Sequence, residues 1–236
     1  MSEKSSLIIS IGLVVGLLLL GVTVGNAALD FRAMERTVVV KGLAEQEYPA
    51  NVVIWPIPYQ VVGNSLEQLY LDVDRNKNAV LEFLRASGIP NSEISITLVQ
   101  VVDKFANDYG ASDNIKYRYT ANQSVTVYSH NVAVVRSAMG RLDTLGREGV
   151  PLTGADYNYY TQYLYSDLNT VKPTMVEQAT ANARAVAQKF AEDSSSVLGK
   201  IKSARQGQFS IADRDSNNPH IKNVRVVTTV EYYLAD

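Results

Sequence analysis

The sequence predicts an α+β fold with mixed or antiparallel sheets covered by helices, preceded by one N-terminal transmembrane helix. Three observations carry this. Residues 5–29 contain no charged side chain. Stretches of β-branched and alternating residues then recur in pairs, which points to neighbouring strands rather than regular β-α-β crossovers. Long segments with apolar residues three and four apart separate those pairs. The boundaries follow: 1–29 is a transmembrane anchor or signal segment, 30–36 a connector and 37–236 a folded domain.

The apolar run from Leu7 to Val24 is broken only by glycines, Ser10 and Thr23. About 20 apolar residues span a bilayer core, whereas the apolar part of a secretory signal runs about 7–15. Two readings stand: a retained anchor, or a signal peptide cut after Ala27 or Ala28. The length favours the anchor. Lys4 lies on one side of the run and Arg32 and Arg36 on the other, so flanking charge barely sets orientation. The short N-terminal stub and large C-terminal domain make an outside domain the default. Gly12 and Gly16 form one small-residue pair of the kind that packs membrane helices.

Thr37–Glu45 reads as a strand interrupted by Gly42, and Ala50–Val62 as a second, with Tyr48-Pro49 as the turn between them. Pro56 and Pro58 remove donors from the same side of that second strand. It is therefore an edge strand, or a strand whose ladder stops there. Ser65–Ser87 is a helix capped by Ser65, with Gln68 completing a capping box and Gly88 as its stop. Leu66, Leu69, Tyr70, Val73, Val80, Leu81 and Leu84 share its apolar face. Ile94–Lys104 and Lys116–Ser129 form a long hairpin. Asn131 caps a further helix ending at Gly149, with Val132, Val135, Met139, Leu142 and Leu145 inward. Gly154–Leu168 is a tyrosine-rich strand. Pro173 opens a helix to Leu198, with Met175, Val176, Ala179, Ala183, Val186, Ala187 and Phe190 inward and Gly199 as its stop. Lys200–Ile211 and Val224–Leu234 close the domain.

Composition excludes several function classes. With 46% apolar and 19% charged residues in 236, the chain is suited to a packed core. The net charge of −2 provides no field for nucleic acid. The absence of cysteine removes disulfides, thiolate catalysis and thiolate-bound zinc.

Val38-Val-Val-Lys-Gly-Leu-Ala-Glu45 followed by Pro49-Ala-Asn-Val-Val-Ile54 resembles the opening signature of SIMPL-domain proteins, although Asn51 and Val52 depart from the commoner form. Leu84-Arg-Ala-Ser-Gly-Ile89 with Ile94-Ser-Ile-Thr97 is similar to that family's next motif. The alanine-rich run Ala179–Ala191 with Leu198-Gly199 is similar to its late helix, and the segment from Ser203 to Tyr232 resembles a membrane-anchored bacterial branch. The similarity spans roughly residues 37–236. It implies a bacterial envelope or periplasmic location, an α/β fold able to form homo-oligomeric rings or shells, and a link to stress tolerance. The resulting expectation is a single-pass inner-membrane protein, tethered through residues 7–24, with a periplasmic domain and itself as partner. The family supplies no catalytic residues.

Candidate chemistry is sparse. His130 and His220 are the only histidines and lie far apart in sequence, which favours surface or capping roles over a metal site. Asp213-Arg-Asp-Ser-Asn-Asn218 places oxygens at alternate positions, as at the start of a calcium loop. The twelfth position is Val224, however, so a polar hairpin turn is the better reading. Tyr157, Tyr159, Tyr163 and Tyr165 share one strand face, with Tyr160 opposite and Tyr232 and Tyr233 further on. Core, subunit contact and sugar stacking are the readings for these tyrosines, in that order. Ser124 has no nucleophile-elbow context, and Glu45 and Glu47 read as solvated surface. No catalytic, cofactor-binding or metal residue is assigned, and no enzyme activity is expected. The competing reading is a ligand-binding or hydrolytic periplasmic protein using the tyrosine-rich surface or the Asp213 loop.

Overall fold

The computed structural model describes residues 12–26, 36–106, 116–154 and 159–235. Residues 12–26 form helix α1, whose leucines and valines are all exposed. Among the described residues no helix is long and apolar enough to cross a membrane. The predicted span starts at Leu7, and residues 7–11 lie outside the described residues, as do residues 27–35 with the alternative cleavage site. At Gly12 and Gly16 an added Cβ would meet nothing within 4 Å, so neither glycine is packed against another element.

The chain divides into two compact units. One comprises residues 1–46, 169–210 and 224–236, the other 47–168 and 211–223. The elements are strands β1 (Thr37–Pro49) and β2 (Val52–Gly63), helix α2 (Leu66–Ala86), strands β3 (Ile94–Ile96), β4 (Gln100–Asp103) and β5 (Tyr119–Ser129), helices α3 (Val132–Met139) and α4 (Asp143–Arg147), strand β6 (Gln162–Leu164), helix α5 (Leu168–Asp193), and strands β7 (Val197–Gln206), β8 (Ser210–Asp213) and β9 (Ile221–Ala235). The α+β class is as predicted. β1 and β2, although consecutive, belong to different sheets: the first runs β1-β9-β7 with β8 also pairing β9, the second β3-β5-β2-β6 with β4 also pairing β5.

In the first unit, one face of the sheet lies against α5. Val40, Val230 and Tyr232 pack there with Ala183 and Ala187. The buried side of α5 is Met175, Ala179, Ala183, Ala187 and Ala191, one residue every four. Val186 and Phe190, expected inward, are exposed at 43% and 54%. The cause is the closeness of the strand. A Cβ at Gly42 would lie 1.8 Å from the Ala179 carbonyl oxygen and 2.9 Å from the Ala183 Cβ. Only methyl side chains fit such a seam. Asn182 reaches over it, donating from Nδ2 to the Leu43 carbonyl at 2.8 Å.

The ends of α5 correct the sequence reading. The helix starts five residues before Pro173, which sits inside it and removes a single intrahelical donor near the first turn. It stops at Asp193, where Ser195 takes a left-handed φ of 54° and the Ser196 N–H bonds the Ala191 carbonyl at 2.8 Å. Gly199, predicted as the stop, lies within β7, where a Cβ would sit 3.0 Å from the Tyr233 carbonyl oxygen.

In the second unit, β2 is interior, not an edge. It pairs with β5 from Val53 to Gly63, and with β6 only from Val52 to Ile54. Gln60 N–H donates to the Pro151 carbonyl and Thr153 N–H to the Pro58 carbonyl, so the even-numbered positions address that second side. Pro56 and Pro58 therefore face the side where the β6 ladder has stopped, as the second of the two sequence readings has it. Beneath this sheet, α2 buries Leu69, Val73, Asn76, Val80 and Leu84, capped by Ser65 and stopped at Gly88 with φ of 85°. Leu66 and Tyr70, predicted inward, are exposed at 45% and 46%. Gln68 bonds Asp72 instead of closing a capping box.

Three predicted elements are divided. The helix from Asn131 breaks at Gly140 into α3 and α4. Lys200–Ile211 is split at Gly207, which approaches Val227 too closely for a side chain. Ile94–Lys104 is split by a bulge: Ile96 pairs with Val125 and Gln100 with Asn122, so three residues face two. The tyrosine-rich strand shrinks to Gln162–Leu164, with residues 155–158, including Tyr157, outside the described residues.

Gly42→Ala is expected to cost about 3 kcal/mol or more, since the methyl meets helix backbone that has no room to yield. Gly146→Ala in α4, where nothing lies within 4 Å, is expected to leave stability unchanged or slightly raised. Urea denaturation of the full-length variants checks both.

Candidate functional site

The bulge is braced by a part-buried polar network. The Thr97 N–H donates to the Ser124 carbonyl at 3.0 Å, and the Ser124 N–H returns to Thr97 Oγ1 at 3.0 Å. Gln123 Nε2 donates to the Thr97 carbonyl at 2.8 Å, and the Tyr59 hydroxyl donates to Gln123 Oε1. Burial, with Asp74 as a second cause, pushes the Tyr59 phenol well above its ordinary range, so it stays a donor. Ser124 is fully buried, and its hydroxyl makes no hydrogen bond. It works through its backbone, and nothing here activates it as a nucleophile. Leu98, at the tip of the bulge, is 89% exposed.

A second cluster joins two features that the sequence separates. The turn between β8 and β9 is built by Asp215, whose Oδ1 accepts the N–H groups of Asn217 and Asn218 at 2.9 Å each. The Arg214 N–H bonds the Ile221 carbonyl at 2.9 Å and closes the hairpin. Arg214 Nε also donates to Asp215 Oδ2 at 2.9 Å and a guanidinium nitrogen lies 3.5 Å from Glu47. The guanidinium, followed by the turn donors, holds the Asp215 carboxyl below its ordinary range. Asp213 is paired with Lys222. The loop is thus a polar hairpin turn whose carboxylates are engaged by the turn itself. Among the described residues no group of three or more metal-ligating side chains comes together.

This turn carries His220 to Tyr163 of β6, with ring centroids 6.1 Å apart. The His220 carbonyl accepts the Ala50 N–H at 2.8 Å. The Tyr163 hydroxyl faces Met139 Sδ at 3.5 Å and has Arg136 within hydrogen-bond reach. Next to it, Tyr48 and Tyr165 stack with centroids 5.2 Å apart and planes 20° apart. Asn51 fixes the adjacent backbone, accepting the Ser166 N–H at 2.9 Å and donating to Ser166 Oγ at 3.0 Å. Burial, then Arg136 and Arg214, lower the pKa of His220 below the usual 6.5, against the opposing pull of Asp215. Burial raises the phenol of Tyr163 and, beside Tyr48 and Asp167, that of Tyr165.

The other singled-out residues lie elsewhere. His130 is exposed, edge-on to Tyr128 at 5.7 Å. Tyr160 is 58% exposed, while Tyr232 is buried and Tyr233 lies under Lys202 in the other unit. Glu45 is exposed, and Glu47 pairs with Arg214. Tyr48 and Arg136 were not foreseen. Tyr48 reads as a turn residue and Arg136 as one of many helix-surface cations, so neither carried a sequence signal.

The sheet edges differ in kind. β6 is three residues long, and the β3/β4 edge is broken by the bulge. β7 carries Lys200, Lys202 and Arg205 and shifts register twice. Such features protect an edge from adding strands. β1, at the other end of its sheet, is thirteen unbroken residues, with Val39 61% and Leu43 41% exposed on a face shared with the exposed Lys41, Glu45 and Glu47.

A family model described as SIMPL, a protein of unknown function (DUF541), matches residues 38–231. No curated protein matches the chain.

Two consequences are measurable. Tyr59→Phe strands the buried Gln123 oxygen and is expected to cost about 1–3 kcal/mol by urea denaturation. For His220, the unfolded chain takes up a proton at a higher pH than the folded one. Its contribution is therefore intact above the ordinary 6.5 and is lost as pH falls below that value toward the lowered folded pKa. His220→Gln is expected to flatten this part of the melting-temperature profile between Tyr163, Arg136, Arg214 and Asp215.

Proposed function

The chain belongs to the SIMPL family, and from that premise we propose that it is a membrane-tethered bacterial envelope protein that self-assembles into a homo-oligomeric ring or shell. The reading takes the bacterial, membrane-anchored branch as its home, the inner membrane as its site, residues 7–24 as its single span and the periplasm as the side of the domain. A link to stress tolerance follows from the same branch. The role is one of assembly and requires no catalysis.

The observation that carries the reading is the contrast between β1 and the other edges. A regular strand of this length at the end of a sheet, whose outward face carries Val39 and Leu43 among Lys41, Glu45 and Glu47, suits pairing with a second copy. Short, bulged or register-shifted edges do not. In support of the tether, α1 leaves Leu13, Leu17 and Leu20 more than 60% exposed, and hydrocarbon is the medium that suits such a surface.

The test uses the full-length chain in mild detergent with mass photometry and intact mass. The expected result is one large, discrete particle whose subunits retain residues 1–27. Introducing Val39→Lys with Leu43→Lys is expected to weaken association by roughly thirtyfold or more, the scale of losing anchors worth ~2 kcal/mol. Their melting temperature should stay at the wild-type value. A wild-type chain that remains monomeric at all concentrations would overturn the reading.

A further inference from the structure

We propose that the corner around the stacked Tyr48 and Tyr165, backed by the buried Tyr163 and by His220, binds a neutral saccharide. The site takes Tyr48 from the last residues of β1, away from Val39 and Leu43, and belongs wholly to the unit of residues 47–168 and 211–223.

Three properties of the corner converge on that ligand class. The first is the aromatic surface. Tyr59 and Tyr163 are buried and serve the core, but Tyr48 and Tyr165 are only half-buried, stacked nearly parallel at 5.2 Å. Each ring covers one face of the other, and the aromatic area that the half-buried pair still presents to solvent suits the C–H face of a pyranose ring. The second is rigidity. The three-bond clasp of Asn51 on Ser166 sets the backbone beside Tyr165, and the bond from Ala50 N–H to the His220 carbonyl fixes the hairpin against the same strand. A preorganised surface loses little freedom on binding.

The third property selects a neutral ligand over an anion. Arg214 is held by both Glu47 and Asp215. Arg136 and Asp167 add one charge of each sign, and His220 is held toward its neutral form by burial and by the two guanidinium groups. Two cations against three carboxylates give no positive field to draw a phosphate or carboxylate. Paired guanidinium and carboxylate groups nevertheless offer donors and acceptors to hydroxyls, and charge-assisted hydrogen bonds are the stronger kind.

The experiment uses the full-length chain in a polyoxyethylene detergent, since a glycosidic detergent would itself occupy the site. Chitotriose, maltotriose, cellotriose and mannotriose are titrated to about 10 mM, the weak end of measurable affinity, with saturation-transfer NMR and calorimetry. At least one should bind, with the strongest transfer to ring C–H protons. Tyr165→Ala should weaken that binding by about tenfold or more. Tyr165→Phe, which keeps the ring, and Tyr70→Ala on α2 should leave it unchanged. If Tyr165→Ala fails to fold, Tyr48→Ala carries the same expectation. Absence of binding by all four trisaccharides, or binding that Tyr165→Ala and Tyr48→Ala leave intact, overturns the proposal.

Discussion

At Gly42 the backbone of β1 meets the backbone of α5 with no side chain between them, and much of the first unit follows from this contact. Backbone so close to backbone admits only hydrogen on the strand and methyl groups on the helix. That dictates an alanine at every fourth position from Ala179 to Ala191. It also turns the larger side chains of α5, Val186 and Phe190, away from the seam. On the strand, alternation then sends Val40 and Ala44 inward and Val39 and Leu43 outward. The exposure of Val39 and Leu43, on a face that also carries Lys41, Glu45 and Glu47, is thus a consequence of how tightly the other face is seated.

The second unit solves a different problem. Its sheet has complete pairing between β2 and β5, but the outer strand changes register at Thr97-Leu98-Val99. An extra residue in a strand leaves backbone groups unmatched, and in a buried setting that is costly. Thr97 and Gln123 supply the missing partners and Tyr59 locks the glutamine. The bulge is therefore a fixed feature. It leaves β1 as the regular, long edge among those described.

These constraints frame the functional reading together. A seam of glycine and alanine fixes which face of β1 is turned outward, while short length, a bulge and register shifts interrupt the other edges. The corner around Tyr165 and His220 adds a separate surface, made of side chains from the end of β1, from β6 and from the β8–β9 turn. Its two guanidinium groups are outnumbered by three carboxylates, so what it offers is aromatic area and hydrogen bonds, with no positive field.

The α+β class, the caps at Ser65 and Asn131, the stop at Gly88 and the long β3/β4–β5 hairpin were legible because each rests on local chemistry: side-chain oxygens for orphan N–H groups, a glycine at positive φ, alternation of faces. Family membership was legible for a related reason. The Gly42 motif and the alanine run are the two sides of one contact, so both are written in the chain. What escaped was set by distant partners. Val186 and Phe190 fit the helical period but not the space left by Gly42. Pro173 was read as a helix start because the preceding turn carries no local signal that it is helical. The break at Gly140 and the bulge at Leu98 depend on what each segment packs against. The tyrosine segment and the Asp213 loop, remote in sequence, became one site only when β6 and the hairpin were brought to the same strand. Periodicity determined which residues face inward; tertiary packing alone decided how close the neighbouring backbone would come, and so which of those residues could be there.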